Sequence, residues 1–165
     1  MKNSIRLILI ASMAVLSLAA CKKQEAAAPA ADAQPALTVP AKDDDAGWKQ
    51  YLQAVVGQNM GSITNNPFLY YLPPESDPEF QAKYDRQVES ATTAVGRGVQ
   101  PGNLLAFGSS ASAKMADMIT AVFKDVQPDS MKGVRVLFIG EAADNARAQA
   151  AIQPTGAEYV FVEAK

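Results

Sequence analysis

The chain contains no histidine and only one cysteine, Cys21. The first absence removes Ser-His-Asp and Cys-His catalysis, the usual zinc sites, and the one side chain whose ordinary pKa lies near neutrality. The second excludes an internal disulfide, so stability has to come from an apolar core. An excess of charge of one sign is lacking too. Fifteen Lys and Arg stand against 17 Asp and Glu, a formal net charge of −2, and no basic surface points to nucleic acid. There is no internal repeat. Past the N-terminus, no apolar run reaches the roughly 20 residues that a membrane span needs.

The most informative positive feature is at the start. Lys2 and Arg6 make a basic head, Leu7 to Ala20 an apolar, helix-prone body, and Leu18-Ala19-Ala20-Cys21 a small-residue end. That tripartite order reads as a secretory signal peptide over residues 1–20, too short to be a stable membrane span. The Leu-Ala-Ala-Cys end resembles the lipobox of bacterial lipoproteins. The resemblance implies a diacylglyceryl group on the Cys21 thiol, cleavage just before Cys21, and acylation of the new amino group. Two or more acyl chains anchor a protein stably, at about 0.8 kcal/mol per buried methylene, where one holds it only marginally. In that family an Asp directly after the cysteine favours inner-membrane retention. Lys22 stands there instead, so the expected location is the outer membrane, with the domain in the periplasm.

Residues 21–45 read as a lipidated N-terminus and a flexible tether rich in alanine and proline, with Leu37 and Val39 as its only sizeable apolar groups. Such a stretch buries too little to offset its ordering entropy, and as a coil it reaches roughly 25–30 Å. Residues 46–165 then form one small domain. Asp43, Asp44 and Asp45 supply acceptors for a helix start, and Trp48, Tyr51, Leu52, Val55 and Val56 fall on one helical stripe. An EF-hand reading of the acidic triplet fails, because Trp48 and Ala54 occupy the places of the required Gly and Glu. Ser76-Asp77-Pro78-Glu79 fits a capping box ahead of a second helix with a stripe of Phe80, Tyr84, Val88, Ala91 and Val95. From Leu104 the pattern alternates strand and helix: strands at 104–107, 134–139 and 159–162, with helices between them carrying Met115 to Val126 and Ala142 to Ile152. This predicts an α/β fold, a small three-layer α/β/α sandwich around a mainly parallel three-stranded sheet. The two N-terminal helices are expected to pack together on one face.

Three places invite a functional reading. Gly108-Ser109-Ser110 and Gly140-Glu141-Ala142-Ala143-Asp144 both open helices at the carboxyl ends of parallel strands, where open α/β sheets bind ligands. Ser109, Ser110, Glu141 and Asp144 are therefore candidate ligand-binding residues, with an anion as the natural ligand of a helix N-terminus. Against that stands plain capping, with an Asp144–Arg147 surface pair. A nucleotide loop fails, since Ala113 precedes Lys114 and Met115 follows it. A Ser-x-x-Lys nucleophile fails because Ala111 stands three residues before Lys114. The third place is Phe68 to Leu72 between prolines, where Phe68, Tyr70 and Tyr71 are candidate partner-binding residues or a plug for one end of the core. No cofactor or metal site is expected. The sequence thus points to a non-catalytic binding or assembly module of the envelope, its partners the membrane and an envelope protein, with a small-ligand binder or enzyme at the strand ends as the alternative.

Overall fold

The computed structural model describes residues 37–165. The expected signal peptide, Cys21 and most of the expected tether lie outside the described residues. Helix α1 (Asp45–Gln58) is followed by strand β1 (Phe68–Leu72), helix α2 (Phe80–Gly96), strand β2 (Leu104–Ser109) and helix α3 (Ser112–Phe123). Strand β3 (Arg135–Gly140), helix α4 (Ala142–Ile152), a 3₁₀ turn (Gln153–Thr155) and strand β4 (Glu158–Glu163) complete the order.

The sheet has four strands, all parallel, in the order β1-β2-β3-β4. This corrects the expectation of three strands. Phe68 to Leu72 is continuously apolar and aromatic, and the prolines around it are harmless because β1 is an edge strand that ends where they begin. The extra strand also moves a helix. Since β1, β2, β3 and β4 follow one another in one direction, each right-handed crossover leads to the same face. α2, α3 and α4 therefore share one layer, and α1 alone lies on the other. The two N-terminal helices do not pack together on one face.

Two apolar clusters follow from this division. On the three-helix face, Tyr70, Leu72, Leu105, Phe107, Val136 and Phe138 of the sheet meet Ala91, Val95, Met115, Met118, Ile119, Val122, Ala148 and Ile152. On the other face, Leu104, Ala106, Leu137 and Ile139 meet Trp48, Tyr51, Leu52, Val55 and Val56 of α1, the five positions of its sequence stripe. Alternation along the central strands divides their residues between these clusters, so both faces need apolar groups. Gly108 permits the close seat of α1, because a Cβ there would collide with Leu52 Cδ2. Leu37 and Val39 also pack against the α1-side cluster. The packed domain thus reaches upstream of residue 46, into the segment expected to be tether.

Helix starts agree with the sequence in part. Asp44 caps α1, its Oδ1 accepting from the Gly47 N–H at 2.8 Å. The expected capping box at Ser76 does not form. Asp77 Oδ1 accepts from the Glu79 N–H at 2.7 Å, α2 begins only at Phe80, and Ser76 Oγ donates to Asp43 Oδ1 at 2.8 Å. In α2, Ala91 and Val95 are buried while Phe80, Tyr84 and Val88 are partly covered.

Candidate functional site

The carboxyl ends of the strands gather the loops that open α3 and α4, together with the segment leading into α1. They enclose a cleft of about 260 Å³ lined by Val39, Pro40, Ala41, Lys42, Trp48, Ser109, Ser110, Ser112, Gly140, Glu141 and Ala164. The sheet has no reversal of strand order, so the crevice that such a reversal opens is absent. The lead-in segment forms this cleft instead. Trp48 Nε1 donates to the Ala41 carbonyl at 3.1 Å, and Lys42 Nζ lies 3.3 Å from Glu141 Oε1.

Most polar groups here are already used by the fold. Ser109 is buried; its Oγ donates to the Leu72 carbonyl at 2.8 Å and accepts from the Ala111 N–H at 2.9 Å, tying the end of β1 to the start of α3. Ser112 does the same between helices. Its Oγ donates to Asp144 Oδ2 at 2.7 Å and accepts from the Glu141 N–H at 2.8 Å. Asp144 Oδ1 accepts from Arg147 at 2.9 Å, and Arg147 reaches across to Asp117 and to the Ala113 carbonyl at 3.0 Å. This clamp joins the N-termini of α3 and α4. Gly140 is required in it, since a Cβ would come within 2.6 Å of both Phe138 Cζ and Ser112 Oγ. Of the four residues proposed for the strand ends, Ser109 and Asp144 are thus structural and Glu141 makes a surface pair. Ser110 is different: its Oγ is buried without a hydrogen-bond partner, and it borders both the main cleft and a smaller one of about 180 Å³.

Ser112 and Arg147 were not singled out as site residues from the sequence. The Arg147 pairing with Asp144 was visible in their i,i+3 spacing. The Ser112 contact was not, because its partner lies 32 residues away.

The aromatic segment is split three ways. Tyr70 is buried and stacked on Phe107, with ring centroids 5.0 Å apart. Tyr71 faces α1, where its hydroxyl donates to Asp45 Oδ1 at 2.9 Å. Burial and the Asp45 carboxylate both push the Tyr71 phenol upward. The hydrogen-bonded Lys49 ammonium holds the Asp45 carboxyl below its ordinary value, with the Tyr71 hydroxyl adding to the effect against partial desolvation. Phe68 alone is outward, 49% exposed, beside a shallow groove of about 570 Å³ that runs along α2 past Arg86, Glu89 and Arg97.

Among the described residues no three His, Cys, Asp or Glu gather as metal ligands, and no helix is long and apolar enough to cross a membrane. No family model matches the chain, and neither the curated proteins nor the solved structures include one similar to it.

Proposed function

We propose that the protein is an envelope lipoprotein, anchored through Cys21 to the periplasmic side of the outer membrane, and that its domain is a non-catalytic binding or assembly module. The lipobox resemblance at Leu18-Cys21 supports the anchor, and Lys22 supports the outer membrane over the inner. The observation that carries the module reading is the clamp at Ser112. It commits the Ser112 hydroxyl and the Asp144 carboxylate, the groups best placed for chemistry at the strand ends, to joining α3 and α4. Phe68, the one exposed large apolar side chain among the described residues, is the group left to meet an envelope partner.

Replacing Cys21 with Ser tests the anchor. The variant is expected in the soluble fraction or as unprocessed precursor, while the native protein carries acyl mass. A native protein of unmodified mass overturns the anchor.

One observation favours a second reading, a small-ligand or anion site. Ser110 Oγ has no partner and borders a cleft that Trp48 also lines. If Ser110→Ala abolishes biological activity without lowering the melting temperature, the strand-end cleft is the functional site and the module reading fails.

A further inference from the structure

The two edges of the sheet are built differently. β1 is five residues long, with Pro67 just before it and Pro73-Pro74 just after, and the helix beside it carries Arg86, Glu89 and Arg97 toward the groove. Proline and charge are the ordinary means by which an edge is kept from pairing with another chain. β4 has neither in its interior. Its sequence is Glu158-Tyr-Val-Phe-Val-Glu163, and Tyr159, Val160, Phe161 and Val162 are all only partly covered, whereas Tyr70 and Leu72 of β1 are buried.

The direction of the free backbone groups follows from two hydrogen bonds. The N–H groups of Glu158 and Ala164 donate inward to the carbonyls of Val134 and Gly140, at 2.8 and 2.9 Å. Strand residues alternate with period two, so Glu158, Val160, Val162 and Ala164 face β3. Tyr159, Phe161 and Glu163 turn their N–H and C=O groups to the open side. The charges that flank this edge are neutralised within the chain. Arg135 holds Glu158 at 2.7 and 3.1 Å, and Lys165 holds Glu163 at 2.6 Å.

The helix beside β4 repeats the pattern. The only charged residues of α4, Asp144 and Arg147, are both turned to α3 by the clamp. Its opposite flank faces β4, as the Tyr159 hydroxyl shows by donating to Asn145 Oδ1 at 2.9 Å. At 100° per residue that flank also carries Ala142, Ala146 and Gln149, all exposed and none charged.

We propose that the β4 edge is an interface for a second copy of this chain, paired antiparallel about a two-fold axis normal to the sheet, so that one sheet runs through both copies. A second copy is the occupant for three reasons. The edge is self-complementary in hydrogen bonding, since Tyr159, Phe161 and Glu163 of one copy can exchange N–H···O bonds with the same residues of the other. With Phe161 opposite its own copy, antiparallel pairing also sets Glu158 of each strand across from the neutral Ala164 of the other, so no like charges stand directly opposite each other across the edge. Finally, the helices fit. α4 touches both β3 and β4. Strands spaced about 4.8 Å apart then set the two α4 axes roughly 10 Å from each other, at the upper end of helix packing distances, with alanine and uncharged amides between them. A polar envelope partner on the same edge would gain the backbone bonds but not this helix match. The interface is small: a six-residue strand spans about 20 Å, so the area falls near the low end for specific contacts and the dimer is a reversible one. It is separate from the Phe68 surface and from the anchor.

Sedimentation velocity on the purified full chain, up to roughly millimolar concentration, is expected to show a reversible monomer–dimer equilibrium. Amide exchange at Tyr159, Phe161 and Glu163 should slow as concentration rises, while Val160 and Val162 stay protected throughout. Ala146→Glu with Gln149→Glu lies on the solvent side of α4 and faces like charges across the axis; it should weaken association by about tenfold or more. Glu163→Pro removes an outward N–H, breaks no bond of the monomer's sheet, and should have the same effect with the fold intact by circular dichroism. Phe68→Ser should leave the equilibrium unchanged. A chain that stays monomeric at all concentrations overturns the proposal. So does a dimer that Phe68→Ser disrupts and the α4 pair does not, or capture by another envelope protein that alone protects the β4 amides.

Discussion

Phe68, Tyr70 and Tyr71 stand within four positions and have three different tasks: Tyr71 leaves the edge strand toward α1, while Phe68 and Tyr70 share the other face and differ in cover, Tyr70 buried and Phe68 exposed at the start of the strand. Tyr70 points into the three-helix cluster and stacks on Phe107, so Tyr70→Ala is expected to cost about 3–5 kcal/mol, as aromatic truncations in cores do. Phe68→Ser should change stability by less than about 0.5 kcal/mol and lower only the capture of a partner. Thermal unfolding beside partner pull-down separates the two, and equal destabilisation would show Phe68 to be core. Asp45 gives the residue scale its pH dependence. The carboxyl is held low in the folded protein, first by Lys49, so it binds its proton more weakly folded than unfolded. Its contribution is therefore fully present above the ordinary Asp pKa of about 3.9 and is lost as pH falls through the lower folded value. Asp45→Asn should make the melting temperature less sensitive to acidification over that range while leaving the profile above about pH 6 parallel to the wild type. An unchanged acid profile would show that the Lys49–Asp45–Tyr71 chain contributes nothing in solution.

At the scale of elements, local pattern predicted well where one face of one helix carried the information. The bounds of α4, and the start and five-residue stripe of α1, are those read from periodicity and from Gly and Pro, because these signals lie inside the element. β1 was harder. Its prolines lie where they would end either a loop or an edge strand, and only the neighbour decides between the two. Misplacing that one strand also misplaced α2, since the face of a helix is set by the order of the strands it connects. The strand-end site was legible in the same uneven way. Ser109 and Asp144 were visible as polar residues at helix starts, but neither caps its helix: Ser109 ties β1 to the start of α3 and Asp144 holds Ser112 and Arg147, whereas Ser112 gains its importance from a residue on another helix. Ser112→Ala leaves the Glu141 N–H and one oxygen of Asp144 without their partner, and should cost roughly 1–3 kcal/mol. Ser110→Ala has no bond to lose and should cost less than Ser112→Ala. Chemical denaturation of the two variants checks the order, and the reverse order would mean that Ser110 is bonded to something the fold depends on.

For the whole molecule, the decisive asymmetry is that three helices cover one face of the sheet and one covers the other. A helix is about 10 Å across, and four strands set their outermost members about 14 Å apart, so α1 alone leaves part of its face open. α1 packs on the central strands. Leu37 and Val39 join the same cluster as Val160, Val162 and Ala164 of the β4 side. Part of the segment that composition marks as tether is therefore part of the domain: Leu37 and Val39 pack against the α1-side cluster, and residues 39–42 wall the cleft beside Trp48. Its low hydrophobicity hid this, because two apolar residues are too few to offset the ordering of 25 but enough to dock a short stretch already held at its end by Asp44 and Trp48. Deleting residues 1–36 should leave the unfolding transition where it is. Deleting 1–45 removes Leu37, Val39, the Ala41 acceptor of Trp48 and the Asp44 cap, and should cost roughly 2–5 kcal/mol, enough to lower the melting temperature by about 10 °C or more in a domain of this size. Trp48 fluorescence reports the difference directly, since its indole loses both its hydrogen bond and its cover. Identical melting of the two deletions would mean that residues 37–45 contribute no stability, and that one helix suffices for its face of the sheet.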